Sequence, residues 1–92
     1  MDLVVTEDRA AHRFELNRGD EQIGHADYTV DGDAVVITHV QTAPRHRGNG
    51  FAAELMAGLL DQLRDSDRNV VPVCSYAVAY LDDNPDQHDL LA

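Results

Sequence analysis

The spacing of apolar residues changes once along the chain, and this change limits the possible folds more than any other feature. Between residues 12 and 40, apolar and polar side chains alternate, which is typical of strands with one buried face. After residue 50 apolar side chains recur at every fourth position, as on one face of a helix. These positions are Phe51, Leu55, Leu59 and Leu63. The pattern predicts a β-sheet followed by a helix over about residues 49–65.

Three segments before the helix carry the alternation of a half-buried strand. They are residues 12–17, 22–30 and 34–40. Polar turns separate them, and the second turn, Asp-Gly-Asp at residues 31–33, is a common hairpin signal. We therefore expect three consecutive antiparallel strands.

Two further elements follow the helix. Residues 70–74 predict a short buried strand, and Pro72 favours an edge position or a bulge because proline lacks an N–H donor. Residues 75–81 predict a short helix, and residues 87–92 a tail of uncertain order. Since no repeat or linker divides the chain, the predicted fold is a single α+β domain, residues 1–92, with helices packed on a mainly antiparallel sheet.

Composition excludes several classes of protein. The net charge is −10, without a single lysine, and such a field repels nucleic acid, so no nucleic-acid partner is expected. One cysteine, Cys74, excludes an internal disulfide and a zinc site of several cysteines. No apolar run approaches the roughly 20 residues of a membrane span, and the first residues do not form a basic and apolar leader. We therefore expect a cytoplasmic protein with no membrane partner.

The stretch Arg-His-Arg-Gly-Asn-Gly, residues 45–50, concentrates positive charge where the helix is predicted to begin. Unpaired N–H groups and the positive end of the helix dipole bind phosphates at such a place, and glycines allow close approach. Arg45 and Arg47 add charge that can pair with phosphate oxygens. A flexible loop with solvated arginines is the alternative. The stretch lacks both the Walker lysine and the third glycine of the dinucleotide fingerprint.

The spacing of Arg45, Gly48 and Gly50 resembles the acyl-CoA-binding loop of the GNAT superfamily of N-acetyltransferases. That signature has Gln or Arg, two residues, Gly, one residue, and Gly or Ala. The resemblance implies a GNAT-like fold with this loop between a strand and the main helix, and acetyl-CoA as co-substrate. It further implies that loop amides hold the CoA pyrophosphate, and that the strand end Val40–Thr42 contacts the pantetheine and the thioester carbonyl.

Over residues 12–86 the chain is similar to a small single-domain branch, the YjdJ-like or NATD-type acetyltransferases. That branch has a histidine nine residues before the first loop glycine and, after the helix, Pro-x-Cys-x-Tyr with a second tyrosine. The matching positions are His39, residues 72–76 and Tyr80. Two positions depart from the branch: Val40 stands where it usually has threonine, and Asn-Pro-Asp where it has His-Pro near the end.

Acyl transfer to an amine needs a neutral amine, stabilisation of the oxyanion and a proton for the leaving thiolate. His39 can accept the amine proton, directly or through water, because imidazole titrates near neutral pH. The alternative is a core histidine that shares its strand face with Val35 and Ile37.

Cys74 stands where the strand predicted at residues 70–74 passes into the short helix, and a helix N-terminus favours a thiolate. It can serve as an acyl-accepting nucleophile or a proton donor, and a buried small hydrophobe is the alternative. The resemblance implies that His39 and Cys74 form the active-site pair. We expect direct attack of the amine on the thioester, with Cys74 in a supporting role.

Tyr76 and Tyr80 lie four residues apart, hence on one face of the short helix. A phenol there can protonate the leaving thiolate, as tyrosines do elsewhere in the superfamily. Packing against the sheet is the alternative. The four histidines other than His39 show no metal-binding spacing, so no metal is expected.

The residues expected to act fall into two groups. The expected catalytic residues are His39, Cys74 and Tyr80. The expected cofactor-binding residues are Val40, Gln41, Thr42, Arg45, His46, Arg47, Gly48, Asn49, Gly50, Phe51 and Tyr76.

The sequence therefore predicts an acetyl-CoA-dependent N-acetyltransferase with an unidentified amine acceptor, protein or small molecule. A CoA- or acyl-CoA-binding module without turnover, and a structural domain whose loop binds nothing, are the alternatives. The acidic surface attracts cationic amines, and so short a chain has little material for an acceptor pocket, which favours a protein side chain or terminus. A monomer or weak dimer is expected.

Overall fold

Five strands form one sheet in the computed structural model of the chain, which describes residues 2–92. The strands are β1 (Leu3–Asp8), β2 (Arg13–Arg18), β3 (Glu21–Asp31), β4 (Ala34–Thr42) and β5 (Asn69–Pro72). The α-helices are α1 (Phe51–Asp65) and α2 (Ser75–Asp83), and short 3₁₀ helices cover Pro44–His46 and Pro85–Leu90. The mixed α+β class predicted from the sequence is confirmed.

The strands lie in the sheet in chain order, from β1 at one edge to β5 at the other. Neighbours among the first four are antiparallel, and β5 is parallel to β4. A parallel pair needs a crossover between its strands, and α1 supplies it. Pro72 lies in the edge strand β5, as the missing N–H of proline predicts.

The prediction of three strands before the helix was wrong, because β1 precedes them. Its side chains alternate between partly buried and exposed, with Leu3, Val5 and Glu7 on the inner side and Val4 outside. The alternation spans few apolar residues and includes an inward carboxylate. A partner for that carboxylate, Arg68, lies far away in the sequence, so the short pattern gave no clear strand signal.

The last residues are also more ordered than expected. Residues Pro85–Leu90 form a 3₁₀ helix, the Leu90 side chain is 5% exposed within the core, and Leu91 forms a parallel bridge to Val70. The chain therefore ends packed beside β5 rather than as a loose tail.

One face of the sheet forms the hydrophobic core with both helices. The sheet contributes Phe14, Leu16, Ile23, Ala26, Tyr28, Val35, Ile37 and Val70, and the helices contribute Leu55, Met56, Leu59, Leu60, Leu63, Ala77 and Leu81. The apolar residues spaced four apart in α1 all face this cluster, and α1 contacts every strand. Neither helix within residues 2–92 has the length and apolar character needed to cross a membrane.

The opposite face of the sheet carries polar side chains that are exposed or partly exposed, and it is called the open face below. By strand register and alternation its central members are Arg13, Glu15, His25, Asp27, His39 and Gln41. The sheet therefore separates an apolar side, covered by helices, from a polar side.

Candidate active site

The strands β4 and β5 flank the predicted site, and they separate halfway along β4. Pairing between β4 and β5 covers Ala34–Ile37, while β4 continues to Thr42. The Ile37 carbonyl accepts from the N–H groups of Val73 and Cys74, at 3.0 and 3.2 Å, where the chain turns towards α2. Among residues 2–92 no strand pairs with β4 beyond that point on this side. Residues 38–42 therefore present backbone polar groups to a gap between the strands.

A β-bulge in β4 decides which way His39 faces. Tyr28 pairs with Ile37 and Asp27 with His39, so Thr38 is an extra residue, and its hydroxyl donates to the Asp27 carbonyl at 3.2 Å. An extra residue shifts the alternation by one position. His39 consequently lies exposed on the open face rather than beside Ile37 in the core. The alternative of a core histidine is therefore wrong.

The same bulge decides on which face of the sheet the other strand residues predicted to bind the cofactor lie. Val40 packs against the core, and Thr42 lies on the same side of the strand, partly buried. Gln41 is exposed on the open face, where its Oε1 lies 3.0 Å from Nε2 of His39.

His39 has a second imidazole beside it. The ring centres of His25 and His39 are 6.0 Å apart, and Nε2 of His25 lies 3.7 Å from Oδ2 of Asp27, whose other oxygen accepts from Nε of Arg13 at 2.8 Å. Partial burial, and then the nearby Arg13 charge, lower the pKa of His25, which favours its neutral ring. His25 was not among the predicted site residues.

The predicted loop enters α1 through two glycines with left-handed backbone. The φ angles are 82° at Gly48 and 75° at Gly50, values that favour glycine, and Gly50 is the N-cap of α1 without a side-chain cap. No atom lies within 4 Å of a β-carbon built at either glycine. Within residues 2–92 the backbone N–H groups of residues 48–53 have no hydrogen-bond acceptor. A row of unpaired N–H groups at a helix start is an anion site.

The positive charge of the side chains around the loop is partly neutralised by a carboxylate. Arg45 forms an ion pair with Glu21, and Nε2 of His46 lies 3.1 Å from the same carboxylate. Burial first, and then Arg45 and Arg18, lower the pKa of His46, so its neutral ring can donate to Glu21. The positive charge predicted at Arg45 is therefore shared with an acidic partner from β3.

Two other arginines lie at the loop without a recorded carboxylate partner in the described part of the chain. Arg47 donates to the Thr42 carbonyl at 3.5 Å, and the Arg18 guanidinium lies 5.7 Å from the centre of the Phe51 ring. Arg18 was not among the site residues predicted from the sequence. A meander places the end of its second strand beside the end of its fourth, so topology was the signal that could have found it.

Asn49 closes the loop on itself, because its side-chain amide donates to the His46 carbonyl at 3.2 Å. The His46 N–H donates to the Ala43 carbonyl at 2.8 Å in the preceding turn. These two bonds link the loop to itself and to the turn that precedes it.

Cys74 is the N-cap of α2, and its Sγ accepts from the Ala77 N–H at 3.4 Å. The partly buried thiol packs against the core. No hydrogen bond joins Cys74 to His39 among residues 2–92. The structure brings both near the point where β4 and β5 part, with the imidazole on the open face and the thiol on the helix side.

Tyr76 and Tyr80 follow on α2. Tyr76 is 39% exposed, and Tyr80 packs partly buried against the core. Burial raises the pKa of both phenols, and for Tyr80 the neighbouring Tyr76 and acidic side chains raise it further. Both phenols are therefore protonated at neutral pH and able to donate. No cluster of three or more His, Cys, Asp or Glu side chains in the described residues is arranged to hold a metal ion.

Solved structures share this architecture. A GCN5-like protein from Staphylococcus aureus, solved by NMR, aligns with a TM-score of 0.71 and 17% identity over 96% of this chain and 86% of its own. The ribosomal-protein-S18-alanine N-acetyltransferase from Escherichia coli aligns with a TM-score of 0.63 and 17% identity, covering 77% of this chain and 49% of its own.

A third neighbour was solved with ligands. N-acetylglutamate synthase from Neisseria gonorrhoeae, complexed with coenzyme A and N-acetyl-glutamate, aligns with a TM-score of 0.61 and 12% identity over 95% of this chain and 26% of its own. At these identities the likenesses show the fold alone, which is the predicted GNAT-like one.

Sequence comparison identifies the family. No curated protein sequence matches the chain. The family model of the GCN5-related N-acetyl-transferases matches residues 13–90, nearly the whole chain. The narrower YjdJ-like or NATD-type branch stays a prediction. The chain belongs to the GCN5-related N-acetyltransferase family.

Proposed function

We propose that this protein transfers an acetyl group from acetyl-CoA to the nitrogen of an amine. The observation that carries the proposal is the row of N–H groups at residues 48–53, unpaired within the described chain and entered through two left-handed glycines. Family membership and a structural neighbour that holds coenzyme A support it. The proposal keeps the cytoplasmic, single-domain, monomeric or weakly dimeric protein expected from the sequence.

The loop fits the diphosphate of coenzyme A. Its N–H groups at residues 48–53 have no acceptor within residues 2–92, no atom lies within 4 Å of a β-carbon built at Gly48 or Gly50, and Arg47 and Arg18 add positive charge. In this proposal residues 45–51 hold the phosphates, and the unpaired edge of β4 at Val40–Thr42 holds the pantetheine arm. Bound acetyl-CoA supplies the activated acetyl group.

The reactive side chains of the proposal come from the two sides of the gap. His39, exposed on the open face, accepts a proton from the amine. Tyr80, whose phenol is protonated, or the Cys74 thiol supplies a proton on the helix side. In this proposal the reaction takes place at the gap between β4 and β5, and Tyr76, 39% exposed on α2, contacts the cofactor.

The acceptor in this proposal is a cationic amine on a protein side chain or terminus. The net charge of −10 attracts it, and the open face carries the carboxylates of Glu15 and Asp27 near His39. A flat face admits an amine carried by a larger molecule.

The proposal is tested by following release of free CoA from acetyl-CoA with an oligolysine peptide as acceptor, while calorimetry measures CoA binding. We expect turnover by the parent, with loss of most activity but unchanged CoA binding in His39→Ala. Mass spectrometry of Cys74 after incubation with acetyl-CoA separates an acyl-enzyme from direct attack, for which no acylated cysteine is expected.

A CoA-binding module without turnover is the second candidate. No hydrogen bond joins His39 to Cys74 within residues 2–92, and this favours the binding module. Background CoA release by the parent, by His39→Ala and by Cys74→Ala, with intact CoA binding, would establish the module instead. No heat with CoA at all would establish a structural domain and remove both candidates.

A further inference from the structure

His39 is held by a neighbour on its own strand. The bulge at Thr38 puts His39 and Gln41 on the same side of β4, two positions apart, and Oε1 of Gln41 lies 3.0 Å from Nε2 of His39. This is a normal hydrogen-bond distance.

The chemistry of an amide oxygen then selects the tautomer of the ring. A carbonyl oxygen only accepts, so Nε2 of His39 carries the hydrogen of this bond. A neutral imidazole has one N–H donor and one nitrogen acceptor, and therefore Nδ1 keeps its lone pair. Gln41 thus decides which nitrogen is basic.

Other groups near His39 do not replace this bond. From β3, Asp27 faces the ring but is bound by Arg13 of β2, and His25 lies with its ring centre 6.0 Å away. Glu15 of β2 pairs across from His25, and Cys74, before α2, bonds to Ala77. Gln41 is therefore the one hydrogen-bond partner of the His39 side chain among residues 2–92.

We propose that Gln41 is a positioning residue that holds His39 as the Nε2–H tautomer and so makes Nδ1 the base that deprotonates the amine. This inference rests on the proposed function. The N–H bond of the amine breaks, its electron pair stays on the nitrogen, and the proton moves to Nδ1. The ring becomes an imidazolium that still donates from Nε2 to Gln41, and its exposure lets Nδ1 return the proton to solvent.

Three variants test the proposal. Gln41→Leu removes the acceptor, Gln41→Glu keeps an oxygen acceptor but adds a charge, and Gln22→Leu is a matched control, because Gln22 is an exposed glutamine on β3. Nitrogen NMR of the His39 ring in the ligand-free protein, at a pH well above the titration range of imidazole, reports the tautomer. Its signals are identified by their loss in His39→Asn.

We expect the Nε2–H tautomer in the parent, in Gln41→Glu and in the control, and a mixture of tautomers in Gln41→Leu. With acetyl-CoA and oligolysine, kcat should fall about threefold to tenfold in Gln41→Leu, as loss of one hydrogen bond predicts, while the KM for acetyl-CoA stays within about twofold. In Gln41→Glu the acidic limb of the rate profile should move to higher pH, because the carboxylate stabilises the imidazolium.

A parent ring found as the Nδ1–H tautomer overturns the inference, and so does an unchanged tautomer and kcat in Gln41→Leu. Both results leave the proposed function intact. If the expected tautomers are found but the parent shows no turnover, the proposed function is wrong. The positioning role of Gln41 in catalysis is then wrong as well.

Discussion

At the scale of single residues, the inward carboxylate of Glu7 is the clearest case of a group whose role depends on distant partners. Arg68 donates to both of its oxygens at 2.7 and 2.9 Å, and the Tyr28 hydroxyl donates at 2.6 Å. The Arg68 hydrogen bond is the main reason that the pKa of Glu7 falls to about 2. Burial and the Glu7 bond raise the pKa of Tyr28 to about 12. The network joins β1 to β3 and to the segment between α1 and β5.

Glu7→Gln should therefore destabilise the protein in a pH-dependent way. The folded pKa of about 2 lies below the ordinary 4.5, so the stabilisation is complete above pH 4.5 and is lost as pH falls towards 2. Since the Glu7 and Arg68 side chains are 8% and 17% exposed, we expect a loss of about 2–3 kcal/mol at pH 7 that shrinks to near zero at about pH 2. Urea unfolding across this range measures it.

Glu15→Gln, on the neighbouring strand, is the control for that series and should show little pH-dependent difference from the parent. A loss in Glu7→Gln that is constant with pH would show that packing, rather than charge, holds the carboxylate in place.

The ion pair between Arg45 and Glu21 makes a second prediction for single residues. Glu21→Gln releases the Arg45 charge beside the loop N–H groups, so CoA should bind about twofold to fivefold more tightly. Pantetheine, which lacks the diphosphate, should bind unchanged. Calorimetry with both ligands measures the difference.

Asp20→Asn removes the same charge from the adjacent exposed position and is the matched control. Equal gains in the two variants would mean that only the net charge matters and that Arg45 does not reach the phosphates.

At the scale of elements, the contact between α1 and β1 depends on a residue without a side chain. A β-carbon at Gly58 would overlap the side chain of Val5. Gln62, one turn further along α1, donates from its side-chain amide to the Val5 carbonyl at 2.5 Å. The helix therefore lies close to the edge strand, at a spacing that only glycine allows.

Gly58→Ala should destabilise the protein by about 1–3 kcal/mol, although alanine favours a helix by about 1 kcal/mol, because the methyl group forces helix and strand apart. Combined with Val5→Ala, the loss should be smaller than the sum of the two single losses by at least about 1 kcal/mol. Thermal and urea unfolding of the four proteins measure this coupling.

Val4→Ala is the control for this double-mutant cycle, because Val4 is 53% exposed on the other side of β1. Its effect should add to that of Gly58→Ala. Additive losses with Val5→Ala as well would remove the steric explanation.

At the scale of the whole molecule, the two ends of the chain complete the core. The N-terminal strand β1 forms one edge of the sheet, and the last residues lie beside β5 at the other. Arg64 of α1 also forms an ion pair with Asp89. Both ends of the described chain thus add residues to one apolar cluster or pack against it, as suits a domain of this size, which has little buried surface to spare.

Leu90→Ala should therefore cost about 2–4 kcal/mol of unfolding free energy, as a buried leucine does, since its side chain is 5% exposed. Leu91→Ala should cost less than about 0.5 kcal/mol, because Leu91 is 38% exposed. Equal effects in urea unfolding would mean that the last turn is not packed in solution.

The loop at residues 45–50 and the main helix were predictable because the sequence signals for them are local. The helix was predicted over about residues 49–65 and begins at Phe51, because its apolar stripe depends on neighbours within one or two turns. Strand β1 was missed because its inward residues are stabilised by Arg68 and by α1, both distant in sequence. Arg18, His25 and the pairing of Glu21 with Arg45 were missed for the same reason.

By itself, the sequence determined the α+β class, the order of the last four strands and two helices, and the glycine-containing loop before the main helix, because periodicity and turn residues are local properties. Only the tertiary structure decided the side to which His39 faces, since one extra residue at Thr38 reverses the alternation that the sequence implies. It also decided which arginines have no carboxylate partner among residues 2–92, because strand register brings Glu21 to Arg45 and leaves Arg18 beside Phe51. Such outcomes depend on register between strands, and register is set by packing across the whole sheet rather than by any one segment.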